Sequence, residues 1–230
     1  MAVAPVPCEP ILKGDRFAAR LAEICHVLPE VSPLDGLKYR RILIPGIVGG
    51  EMHFALLGFI AHALRMRGAE VSGLLCDAFL PACTLKKVDH YESACERWCH
   101  KNSGRFSRAA RLPHRWYSDF IAPSEVEKCE RMARGVSPVE LTTFGWRDIE
   151  LGVLVRRSVE SFFKVGRFDL ENPEMVEKGR AFLTSAMCLT LIGERALETL
   201  KIDKVFMDDG EKTDWASFGR WPADTGYRWM

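Results

Sequence analysis

Between Ile44 and Phe54 the chain reads I-P-G-I-V-G-G-E-M-H-F, with Gly46, Gly49 and Gly50 standing just ahead of Glu51 and His53. A glycine-rich turn between a strand and a helix lets backbone N–H groups approach a ligand, and the helix N-terminus favours negative charge there. The spacing Gly46-x-x-Gly49-Gly50 is neither the dinucleotide fingerprint nor the triphosphate-binding loop, and a tight structural turn has the same composition. His53 adds a group that can take up a proton at neutral pH when an acidic partner orients it.

A second concentration of reactive side chains follows. Of the eight cysteines, Cys76, Cys83, Cys95 and Cys99 lie close in sequence to His90 and His100. Zinc or an iron–sulfur cluster needs four soft ligands, usually including one close pair. Cys95 and Cys99 are one helical turn apart and can share a face. The separation of Cys76 from Cys83 is wider than a usual zinc pair. Free cysteine is also one of the commonest buried residues, so a metal site and buried thiols both stand as readings. Cys129 and Cys188 fall on apolar helix faces and read as core.

From residue 101 to residue 118 there are five basic side chains, Lys101, Arg105, Arg108, Arg111 and Arg115, and no acidic one. Such a stripe, with Trp116 and Tyr117 as stacking surfaces, could meet phosphates; it could equally be a solvated face balanced by acids elsewhere. The whole-chain balance favours the second reading. There are 32 basic and 31 acidic residues, a net charge of +1, which removes the composition-level case for a nucleic-acid or membrane-surface protein. MAVAPVPCEP does not read as a signal peptide, and FALLGFIAHAL is shorter than the about 18 apolar residues of a spanning helix. A cytoplasmic protein with reduced thiols is expected.

The elements that must position these residues form an α/β pattern. After a proline-rich start, Asp15 can cap a helix carrying Phe17, Leu21, Ile24 and Leu28. Ile42 to Ile44 reads as a strand, and 51–67 as a helix with Phe54, Leu57, Ile60, Ala61 and Leu64 on one face. Gly68 sits at the helix end, and EVSGLLCD follows as a second strand. This is a βαβ unit with parallel strands. Residues 77–122 read as an irregular Cys/His/Arg-rich insertion. Ser124 with Glu127 makes a capping box for a short helix ending at Gly135, and 149–163 is amphipathic. Asn172-Pro173 opens a long helix to about Leu200, and 204–207 is a buried strand. The expected organisation is an extension with one helix over 1–39, then a single Rossmann-like domain over 40–230, its parallel sheet flanked by helices.

The stretch GGEMHFALLGFIAHALRMRGAEV resembles the first loop and helix of GT-B fold glycosyltransferases. In that family a Gly-Gly or Gly-His loop leads into a leucine- and alanine-rich helix ending in Arg-Gly-His-x-Val. Here Arg67-Gly68-Ala69-Glu70-Val71 stands at the matching place. Glu51 and Met52 separate the histidine from the glycines, and Leu56 replaces a proline usual in the family. LLCDAFLPAC is similar to the second strand and following loop of bacterial capsule-polysaccharide glycosyltransferase-like proteins, and the later order WRDIELG, long helix, KVFMDDG suits their N-terminal domain.

The resemblance is specific over 41–83 and one of element order beyond. It implies that His53 is the general base deprotonating an acceptor hydroxyl, oriented by a distant aspartate; Asp119 and Asp148 are candidates without motif support. It implies that Gly46, Gly49, Gly50, Glu51, Asp77 and Gly210 line the substrate cleft. It also implies a nucleotide-sugar donor and a glycan or lipid-linked acceptor in polysaccharide biosynthesis. Such enzymes hold the donor mainly on a second domain, and this length accommodates only the first. The tail with Trp215, Trp221 and Trp229 is therefore expected to bury against a donor-binding partner or a second copy. The alternatives are a noncatalytic Rossmann-like binding or regulatory module, and a zinc or iron–sulfur protein built around the cysteines.

Overall fold

A computed structural model of the chain describes residues 19–23, 38–46, 51–84, 95 and 100–207. Strand β1, Arg41–Gly46, is one of the two inner strands of the sheet. Ile42, Leu43 and Ile44 are all buried, as a parallel strand covered on both faces requires. Helix α1, Glu51–Met66, leads to β2, Glu70–Leu75, which pairs parallel with β1 in the register Ile42↔Val71 and Gly46↔Leu75. The βαβ expectation is met. Gly68, at φ 91°, ends the helical run in the left-handed conformation that glycine adopts without strain.

Residues 77–122 are more regular than expected. They contain helix α2, Lys101–Ala109, and strand β3, His114–Trp116, which pairs parallel with β2. A short 3-10 helix, Tyr117–Phe120, then leads to α3, Pro123–Gly135. The α3 cap also differs from the expected Ser124–Glu127 box. Ala122 is the N-cap, and the Glu125 carboxylate accepts its backbone N–H at 3.0 Å. Pro123 explains the shift, because its fixed φ suits the first helical position and starts the helix two residues early.

Helices α4, Leu151–Phe163, and α5, Pro173–Leu200, fall where their patterns placed them. Asn172 caps α5, its Oδ1 accepting from Glu174 N–H and Met175 N–H. Every residue from Phe182 to Gly193 is buried, so α5 is enclosed all round in this stretch rather than merely amphipathic. Strand β4, Lys204–Val205, pairs with β1, and Phe206 N–H donates to Leu43 O at 2.9 Å to prolong the ladder.

The sheet is wholly parallel in the order β3-β2-β1-β4. Its two faces carry separate cores. Ile42, Ile44 and Val71 pack with α1 and α2 through Phe54, Leu57 and Phe106. Leu43, Leu74 and Val205 pack with α3, α4 and α5 on the other face. Leu21, in the helical turn 19–23, closes the first core against Gly58, where an added Cβ would sit 2.8 Å from Leu21 Cδ2. Among the described residues no helix is long and apolar enough to cross a membrane.

Candidate site at the carboxyl edge of the sheet

In an open parallel sheet, ligands bind outside the carboxyl ends of the strands where successive connections depart to opposite faces. Here β1 continues into α1 on one face, while β4 is reached from α5 on the other, so that point lies between β1 and β4. Gly46 ends β1 there, and α1 begins at Glu51. His53 belongs to the first turn of α1. The side chains of Glu51 and His53, and the whole of Gly49, Gly50, His90, Cys99, Gly210 and the tryptophan tail, lie outside the described residues.

Beside β1, the chain leaving β2 at Leu75 enters the loop 76–84. Two features hold this loop. Ser185 of α5, fully buried, accepts Ala82 N–H at 3.0 Å and donates to Ala82 O at 2.7 Å. The Cys76 sulfur faces the N–H groups of Ala78 and Leu80. Burial nevertheless pushes the Cys76 thiol up to about 12, with the charges of Asp77 and Cys95 acting in the same direction. It is therefore protonated at neutral pH and no nucleophile. Asp77 follows, with Oδ1 enclosed and without a hydrogen-bond partner among the described residues, and Ala78 takes the left-handed conformation at φ 67°.

Cys76, Cys83 and Cys95 are each buried as free thiols, and Cys95 adds to the upward shift at Cys76. Among the described residues no three His, Cys, Asp or Glu side chains gather in a metal-holding group. Cys129 and Cys188 meet thiol to thiol across α3 and α5, both buried, as core positions.

The basic run divides between environments. The half-buried Arg105 lies over the Phe106 ring, 5.5 Å from its centre. Arg108 is half-buried near Gly104, whereas Arg111 and Arg115 are exposed and Arg115 lies 3.9 Å from Asp119. Tyr117 is not a stacking surface: it is fully buried under α5. Trp116 is half-buried, with His100 and His114 edge-on to its ring at 4.5 and 5.1 Å, a cluster the sequence pattern did not suggest. Burial lowers the pKa of His114, and its Nδ1 lies 3.2 Å from Leu112 O. The neutral ring therefore carries its proton on Nδ1.

Neither aspartate considered as a partner for His53 is committed to the carboxyl edge of β1. Asp119 accepts Trp116 N–H at 3.1 Å, and Asp148 sits at φ 63° in the exposed turn between Trp146 and Ile149. His62 packs along α1 as a structural residue. It is half-buried, its Nε2 is enclosed without a partner among the described residues, and burial followed by Arg65 lowers its pKa.

Two hollows bear on the site. A void of about 20 Å³ lies beneath the end of β1, lined by apolar side chains including Ile44, Phe54, Leu75 and Phe106. It is too small and too apolar for a substrate. A groove of about 620 Å³ lies between the last turn of α3 and residues 140–145, and contains no strand end. The candidate site therefore centres on the strand ends. No family model matches the chain, and no curated protein matches it.

Proposed function

We propose that this domain is the acceptor-side half of a glycosyltransferase, transferring sugar from a nucleotide-sugar to a glycan or lipid-linked acceptor in the cytoplasm. The observation that carries the reading is the path of β1. At the point where the sheet's connections divide, β1 runs through Gly46 into the helix whose first turn bears His53.

In this reading Gly46, Gly49, Gly50 and Glu51 line the acceptor cleft, Asp77 flanks it from the end of β2, and Gly210, later in the sequence than β4, belongs to the same set. His53 takes the proton from an acceptor hydroxyl as its oxygen attacks the anomeric carbon of the donor. The nucleoside diphosphate leaves with the electron pair of the broken bond. A second Rossmann-like domain, on the same or another polypeptide, holds the donor.

A binding screen of the purified protein against nucleotide-sugars and oligosaccharide acceptors tests the assignment. Acceptors are expected to bind without donor. Binding of neither class removes the proposal, and binding of nucleotide-sugars alone reverses which half the domain represents.

A further inference from the structure

Three contacts lie along one seam between α3 and α5. At one end Arg195 holds Glu125, and at the other Arg180 Nη2 donates to Val136 O at 3.4 Å. The two helices are therefore antiparallel, and Cys129 meets Cys188 thiol to thiol between those ties. Ala133, one turn beyond Cys129, and Ser185, one turn before Cys188, are small and buried, so the helix backbones can approach closely here. Both thiols are free. Disulfide formation draws two sulfurs from contact to about 2 Å, and the contact already exists.

The two sulfurs are not equivalent. The hydrogen bond from Cys188 holds the Cys129 thiol below its ordinary value against the opposing effect of burial, with the charges of Lys128 and Arg147 assisting. The same contact, then burial, pushes the Cys188 thiol up. Cys129 is thus the attacking sulfur and Cys188 the one that stays protonated. Cys129 also keeps 3% of its surface exposed, and Met132, one turn along the same helix, lines the groove of about 620 Å³.

We infer that Cys129 and Cys188 are a redox modification site, a dithiol that hydrogen peroxide converts to a disulfide locking α3 to α5. The oxidant is little larger than water and arrives from the groove side. Cys129 Sγ attacks one peroxide oxygen, the O–O bond breaks, and the other oxygen takes up a proton and leaves as water. Cys129 is then a sulfenic acid. Cys188 Sγ attacks its sulfur, the S–S bond forms, and the S–O bond breaks to release hydroxide, which leaves as water with the Cys188 proton. Each sulfur gives up one electron and the peroxide gains two. The crosslink closes a loop of about 60 residues, which restricts the unfolded chain. It stands apart from the strand ends and does not depend on the transferase reading.

The experiment treats the purified full chain with hydrogen peroxide under native conditions, blocks free thiols, and maps the digest by mass spectrometry. One linked Cys129–Cys188 peptide pair is expected, lighter than the two reduced peptides by two hydrogens. The melting temperature should rise by about 5–10 °C and return to its starting value with dithiothreitol. In Cys188→Ser, dimedone should trap a sulfenic acid at Cys129, whereas Cys129→Ser should leave Cys188 unmodified. The parent chain alone decides the matter if either variant fails to fold. Free thiols retained at both positions, linkage of either to another cysteine, or equal oxidation of Cys76 in the folded protein overturns the inference. So does a crosslinked chain that melts no higher than the reduced one.

Discussion

Arg195 of α5 holds Glu125 of α3 with two guanidinium nitrogens, at 2.7 and 2.6 Å, while Nη1 also donates to Phe120 O at 2.9 Å. Glu125 in turn accepts the Ala122 N–H that opens α3. One ion pair therefore joins the helix cap, the turn after β3 and the central helix. The Arg195 guanidinium, then the Ala122 N–H, hold the Glu125 carboxyl down at about 2. A depressed carboxylate pKa stabilises the fold above the ordinary value of 4.5, and that stability is lost as pH falls through about 2. Melting temperature should fall over this window, and Glu125→Gln should flatten the dependence. Both side chains are partly exposed, so the cost at neutral pH should be only about 1 kcal/mol. A pH profile identical in the variant would dissociate the pair from acid stability.

Ser185 ties the loop after β2 to α5 through both polar groups of Ala82. Ser185→Ala leaves a buried N–H and a buried carbonyl without partners, a loss of about 2–3 kcal/mol. Amide exchange should accelerate first at residues 76–84, beside the candidate site. Uniform acceleration across the molecule, or none, would contradict a local tether.

The parts of this fold legible in the sequence are those in which local chemistry and tertiary packing agree. β1 is a short apolar run, α1 has a clear face and Gly68, and α5 has Asn172-Pro173 at its start. α2 escaped notice because its buried side includes Asn102, Ser103 and Ser107 beside Phe106, so apolar periodicity does not mark it. β3 is only His-Arg-Trp on the sheet edge, held by pairing with β2 rather than by its own pattern. At the site, Gly46 and the helix carrying His53 follow from motif and spacing. The unpartnered oxygen of Asp77 does not, because it depends on where the neighbouring N–H groups point.

Gly152, in the first turn of α4, packs directly beneath the 3-10 turn Glu140–Thr142 and the residues after it. A Cβ there would lie 2.4 Å from the backbone nitrogens of Thr143 and Phe144, and Gly152 N–H already donates to Phe144 O at 2.8 Å. Backbone cannot rotate away as a side-chain tip can. Gly152→Ala should therefore cost about 3 kcal/mol despite the better helix propensity of alanine. Denaturant unfolding with an unchanged midpoint would mean that the turn yields freely.

Chelator-free protein analysed for metal should contain less than one equivalent of zinc or iron, since the described thiols pack as free, buried side chains and burial pushes Cys76 up to about 12. Cys76 should then resist alkylation at neutral pH until the protein unfolds. Near-stoichiometric metal that disappears on changing Cys95 and Cys99 to Ser would instead establish the cysteine cluster as a metal centre.

His53 carries the chemical claim. Its backbone belongs to the first turn of α1, four residues before Leu57 buries against the sheet, so the helix start is anchored independently of the imidazole. His53→Ala should leave the melting temperature within about 1–2 °C of the parent. Acceptor binding should persist, while transfer measured with a donor-binding domain present should drop about a hundredfold or more. The pH profile should also lose the limb that reports deprotonation of the base. His62→Ala supplies the contrast, since His62 is half-buried with Nε2 enclosed; it should lower stability and spare turnover. Full transfer by His53→Ala would remove the base from the mechanism and leave the fold alone, which does not establish an activity.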